Sequence, residues 1–147
     1  MPLAAHLRTQ IRAALAAALA GIAPNVFVSR SARVSPEQMP AILVVTPGED
    51  VTEGEAYAPL QYRRVVSVDV VAMVKGEGLD DAADALGAQI EEAIVVAGLL
   101  GGVIERPLQL ERTRVSIDDE ASPPVAELTM SYLATARTLA ANPGVPI

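Results

Sequence analysis

Asp80, Asp81 and Asp84 place three carboxylates within five residues, and clustered carboxylate oxygens are the donors that hold Mg²⁺ or Ca²⁺. A metal-dependent enzyme is the chemistry such a cluster would serve. The same residues also stand where an apolar-periodic segment begins, and a helix N-terminus favours negative charge without any metal. A second acidic group, Asp118-Asp119-Glu120, precedes Ala121-Ser122-Pro123-Pro124 and has the composition of a solvated turn. Neither group carries the Asp-x-Asp-x-Asp-Gly spacing of a calcium loop.

The remaining reactive residues are few. His6 is the only histidine, it has no acidic neighbour in sequence, and it is expected at a surface or boundary position. The chain has no cysteine, so disulfides, thiolate metal sites and cysteine nucleophiles are excluded. No Gly-x-Ser-x-Gly elbow supports a serine nucleophile. Gly76-Glu77-Gly78 lacks the Lys-Ser/Thr ending of a phosphate loop, and Gly98 to Gly102 follow a helical segment instead of opening one. Nothing here converges as acid–base or nucleophilic catalysis requires. The sequence predicts a non-enzyme with no cofactor and no metal site.

The elements that would position these residues are legible from periodicity. Leu3, Leu7, Ile11, Leu15, Leu19 and Ile22 recur at helical spacing, which predicts a helix from about Pro2 to Ala20, stopped by Gly21 and Pro24. Arg8 and Arg12 before the run Ala13 to Ala23 superficially resemble a signal peptide. The run is short, alanine-rich and continuous with the helical stripe, so an amphipathic helix is the better reading, with no membrane partner. Val26-Phe27-Val28 is a short strand, and Ala41 to Thr46 a buried one. Pro47 to Pro59, with Glu49, Asp50, Glu53 and Glu55, reads as a long acidic loop. Gln61 to Val74 alternates as a long strand, and Leu79 to Ala97 carries a second apolar stripe. Pro107 to Ile117 and Val125 to Leu139 form a strand pair across the acidic turn.

The expected fold is α+β in the order α-β-β-β-α-β-β: a mainly antiparallel or mixed sheet of about four strands packed by two helices. Residues 1–140 would form a single domain, and 141–147, with two prolines, a loose tail. With 147 residues, 51% of them hydrophobic and only 3% aromatic, the core must be aliphatic. The net charge of −7, a single lysine (Lys75) and scattered arginines argue against nucleic-acid binding as the main activity. Arg63, Arg64, Arg112 and Arg114 on the strands are candidates to meet acidic residues such as Asp118 and Asp119 of a neighbouring subunit. Equally, they could be charges that keep sheet edges from aggregating.

The ordered pattern resembles the tail terminator, or tail-completion, proteins of long-tailed phages and gene transfer agents. It is carried by His6-Leu7-Arg8 and Ile11-Arg12, then Val26-Phe27-Val28, then Pro40 to Val45 and Arg63 to Val70. Leu79 to Leu86, the helix ending near Ile94 and the strand Leu128 to Thr138 complete it. The resemblance spans nearly the whole chain but has no short diagnostic motif.

That resemblance implies a hexameric ring on the end of the tail tube, at the neck of a virion assembled in a bacterial cytoplasm. The ring would stop tube elongation and present a surface to the head connector or stopper, with DNA only passing through the lumen. Ring closure would use a heterologous lateral interface. Glu49, Asp50, Glu53 and Glu55 would contact the tube or line the lumen. Head-closure or stopper proteins share this kind of element order. A small-molecule-binding α+β domain is a further alternative, disfavoured by the shortage of aromatic and polar anchors.

Overall fold

The structure, a computed structural model, describes residues 5–28, 33–53 and 60–147. Its elements run α1 (Leu7–Leu19), β1 (Asn25–Val28), β2 (Ala41–Glu53), β3 (Gln61–Lys75), α2 (Leu79–Ala97), β4 (Gln109–Asp118), β5 (Val125–Leu139) and β6 (Asn142–Pro146). The class is α+β: two helices on one mixed sheet ordered β1-β2-β3-β5-β4, with β6 also on β5. β1 lies parallel to β2, and every other pairing is antiparallel.

The α+β class and two helices were expected, but among the described residues the sheet has six strands, not about four, and the order gains a final strand after β5. Residues 141–147, expected as a loose tail, contain β6. It pairs with Thr138 and Leu139, and Gly144 is held through a 2.6 Å bond from the Gln10 side-chain amide to its carbonyl. Pro143 and Pro146 are compatible with an edge strand, where a missing N–H leaves no partner unsatisfied. The expected start of α1 at Pro2 lies outside the described residues. Within them the helix begins after His6, whose Nδ1 accepts the Arg8 backbone N–H at 3.1 Å.

Leu7, Ile11, Leu15 and Leu19, spaced by four, are fully buried and press α1 onto the sheet. α2 buries Ala83, Leu86, Gly87, Ile90 and Ile94. Its approach to β5 is close: a Cβ at Gly87 would fall 2.5 Å from Leu128 Cδ2. The even residues Val66 to Val74 of β3 and Ala126 to Ala136 of β5 are buried beneath the helices and share one face through the register Val68↔Tyr132. The opposite face is open in its middle, where Asp69 accepts a 2.8 Å bond from the Ser131 hydroxyl. At one end it carries a small second core of Met39, Ala41 and Met73.

The stretch Pro47 to Glu53, expected as part of a loop, continues β2 and pairs with β3 as far as Glu53↔Tyr62. The register shifts by one residue between Val45 and Gly48, so Thr46-Pro47 form a bulge. Before the bulge, even residues of β2 (Ile42, Val44) face the helices. After it, odd residues do, and Glu49 is turned toward α1.

Candidate functional site

Glu49 sits at the centre of the densest polar cluster. Its Oε1 receives a 3.2 Å bond from Arg64 Nη1, pairs with Arg8 Nη1, and lies 4.0 Å from His6 Nε2. Arg64 Nε in turn donates to Thr138 Oγ1 at 2.9 Å, and both residues are buried. The cluster ties the start of α1 to β2, β3 and β5. Burial, then the nearby Arg8 charge, holds the His6 pKa below its ordinary value, and the Glu49 carboxylate only partly offsets this. The cluster holds one carboxylate against two guanidinium groups, a net positive arrangement that offers no cation a site.

The other residues expected at a tube or lumen contact diverge from Glu49. Asp50 and Glu53 are exposed on the outer arm of the β2–β3 hairpin, flanking the exposed Val51. Glu55 lies outside the described residues.

The expected interface arginines also separate. Arg64 is internal. Arg63 is exposed and stands opposite Arg137, and Glu105 lies between them, 3.7 Å from Arg63 Nε and 3.4 Å from Arg137 Nε. Arg112 and Arg114 project from β4 on the open face, opposite Ser131 and Thr129. Asp118 Oδ1 accepts the backbone N–H groups of Glu120 and Ala121 at 3.2 Å and so caps the turn in which Asp119 is exposed.

Asp80, Asp81 and Asp84 are exposed at the start of α2, as a helix start would have them. Among the described residues, no three of His, Asp or Glu are grouped so as to hold a metal ion. No described helix is long and apolar enough to cross a membrane.

Sequence reasoning missed Arg8, Glu105 and Thr138 as partners. It missed Glu49 as an internal residue because Pro47-Gly48 was read as ending a strand. Pro and Gly inside a strand pattern also mark bulges, and that was the available signal.

β4 is exposed along its whole length, and its outer edge pairs with no described strand. The register places Leu110, Thr113, Val115 and Ile117 on the helix side, beyond the cover of α2. Leu110, Val115 and Ile117 are 38, 50 and 47% exposed. Between α1 and α2 runs an open groove lined by Ala18, Ile22, Gln89, Glu92, Ala93 and Val96. Its small aliphatic walls offer a ligand few polar anchors. On β5, the Tyr132 hydroxyl is buried with no hydrogen-bond partner among the described residues, and burial, with Glu91 adding to it, pushes its pKa up to about 12.

No protein-family model and no curated protein sequence matches the chain. Among solved structures, it is similar to a chain of "Virion of native gene transfer agent (GTA) particle". The identity is 19% and the TM-score 0.45, over 90% of this chain and 92% of that one.

Proposed function

We propose that this chain is a structural subunit of a phage or gene transfer agent particle, a tail terminator. It closes as a ring, hexameric in the resemblance, on the end of the tail tube and stops its growth. It then offers the joining surface for the head connector. It works by contact and not by catalysis, needs no cofactor, and lets DNA pass through the lumen.

Two things support this reading. The sequence resemblance follows the order of elements through nearly the whole chain. The structural observation that carries it is the outer arm of the β2–β3 hairpin. Asp50, Val51 and Glu53 are exposed there, beyond a root clamped by Glu49, Arg8 and Arg64. An arm anchored by a buried charge cluster can present a fixed acidic and aliphatic surface to a tube, and preorganisation of this kind lowers the entropic cost of docking. Its acidic residues suit a lumen through which phosphates must slide without tight contact.

The test is to add the purified chain to assembling tail tubes and image them. Rings at one tube end and arrested elongation are expected, weakened by Asp50→Lys with Glu53→Lys. Tubes that elongate unchanged with bare ends would overturn the reading. Binding to portal complexes in place of tubes would make the chain a stopper instead.

A further inference from the structure

We propose that the edge strand β4 is a self-pairing surface, which joins two copies of this chain antiparallel about a two-fold axis at Val115. The proposal is separate from the tube-capping reading, because it concerns the free protein and is read out without tubes.

The argument starts from what the edge leaves unfinished. β4 is ten residues long, and no described strand pairs with its outer edge, so a row of backbone donors and acceptors is available. On the helix side it also leaves Val115 and Ile117 about half uncovered. A partner strand would satisfy the backbone groups and cover the aliphatic row in one step.

Charge then selects the partner and the register. Two copies of one strand, paired antiparallel in a continuous sheet, place residues of the same face opposite each other, so the axis must pass through a residue pair. An axis at Thr113 sets Arg112 against Arg114, and one at Arg114 sets that arginine against itself. Like charges directly opposite destabilise both registers.

An axis at Val115 removes the conflict. On the open face Arg112 then meets Asp118 of the second copy, twice by symmetry, and Arg114 meets Ser116. On the helix side Val115 meets Val115, and Thr113 meets Ile117. Moving the axis to Ser116 pairs Arg114 with Asp118, but only Arg114 to Asp118 remain paired within the strand, against Arg112 to Asp118 for the Val115 axis. The arginines therefore do more than guard the edge: they exclude the central registers and leave the self-complementary one. A seven-residue pairing of this kind is at the small end of specific interfaces, so a concentration-dependent dimer is expected.

Sedimentation of the full chain over a concentration series tests this. A monomer–dimer equilibrium is expected. Arg112→Glu and Asp118→Lys should each be monomeric alone, because each sets like charges opposite. Mixed together they should form a heterodimer, because both cross-strand pairs are then restored. A thermal melt of each variant checks that the exposed turn capped by Asp118 has not cost the fold.

A second route avoids the charges. The chain has no cysteine, so Val115→Cys should oxidise to a covalent dimer, and Val96→Cys on the exposed side of α2 should not. A wild-type monomer at all concentrations, an association insensitive to both Arg112→Glu and Arg114→Glu, or a mixture that stays monomeric would overturn the proposal. An effect of Arg114→Glu with none from Arg112→Glu would overturn the register.

Discussion

Glu49 on β2 and Arg64 on β3 meet at 3.2 Å on the buried side of the sheet, and only the bulge at Thr46-Pro47 allows it. Without that extra residue Glu49 would point to the open face, leaving the Arg64 guanidinium, 8% exposed, with no carboxylate. The pair is therefore part of the fold's register as well as of its charge balance.

Glu49→Ala should cost about 3 kcal/mol, because it strands a buried guanidinium. For a chain of this size that lowers Tm by roughly 10 °C. Glu49→Leu combined with Arg64→Met should recover most of the loss, since a buried ion pair is often replaceable by apolar residues. Arg8 is exposed enough to turn to solvent in the double variant. Thermal melts of the three variants decide it, and an unaffected Glu49→Ala would show that the cluster is already open to water.

His6 makes the same corner of the molecule sensitive to mild acid. Its Nδ1 accepts the Arg8 N–H only while unprotonated, and burial together with Arg8 holds its pKa below the usual 6.5. The unfolded chain therefore takes up this proton first. Its contribution to stability is complete above about pH 6.5 and is lost as pH falls from there toward the lowered folded-state value. Tm should drop more between about pH 7.5 and 5.5 in the wild type than in His6→Ser, where serine caps the helix without titrating. Equal slopes would show that His6 protonates freely in the folded state.

Much of this fold was legible in the sequence, and the losses have physical reasons. α2 and β5 run over the residues that periodicity predicts, because each has a strong pattern ended by Gly or Pro. β2 was cut short at Thr46 because a bulge and a turn use the same residues, Pro47 and Gly48. β6 was invisible because only two of its residues pair with β5, at the end of a strand, and no alternation marks it. The cluster at Glu49 joins residues far apart in the chain, and no local pattern could place Arg8 or Thr138 beside it. Arg112 and Arg114 do lie on a strand, but which residue stands opposite each depends on register, which no local pattern gives.

Arg63 and Arg137 are directly opposite on β3 and β5, and Glu105 relieves their repulsion from a position near both. All three side chains are partly exposed, so Glu105→Gln should cost less than about 1 kcal/mol. The cost should shrink with salt, because screening weakens the repulsion that Glu105 offsets. Chemical denaturation in urea at low and high salt measures it. A gap that does not narrow with salt would assign the effect to the side chain's packing and hydrogen bonding and not to its charge.

Gly87 is the point where α2 comes closest to β5, and replacing it sets two known effects against each other. Alanine is the better helix former by about 1 kcal/mol. Its methyl group, however, would lie 2.5 Å from Leu128 Cδ2, and Leu128 is itself buried. Overpacking of this kind costs about 1–3 kcal/mol, so Gly87→Ala should be destabilising by about 1 kcal/mol net. In a Leu128→Ala background the clash is gone and the propensity gain remains. There the same substitution should stabilise by about 1 kcal/mol, partly filling the space that Leu128 vacated. The double-mutant cycle should therefore show a coupling near 2 kcal/mol between the two sites, in the range that residues in direct contact give. If Gly87→Ala stabilises both backgrounds equally, Leu128 moves aside without cost, and the glycine is not what sets the distance between helix and sheet.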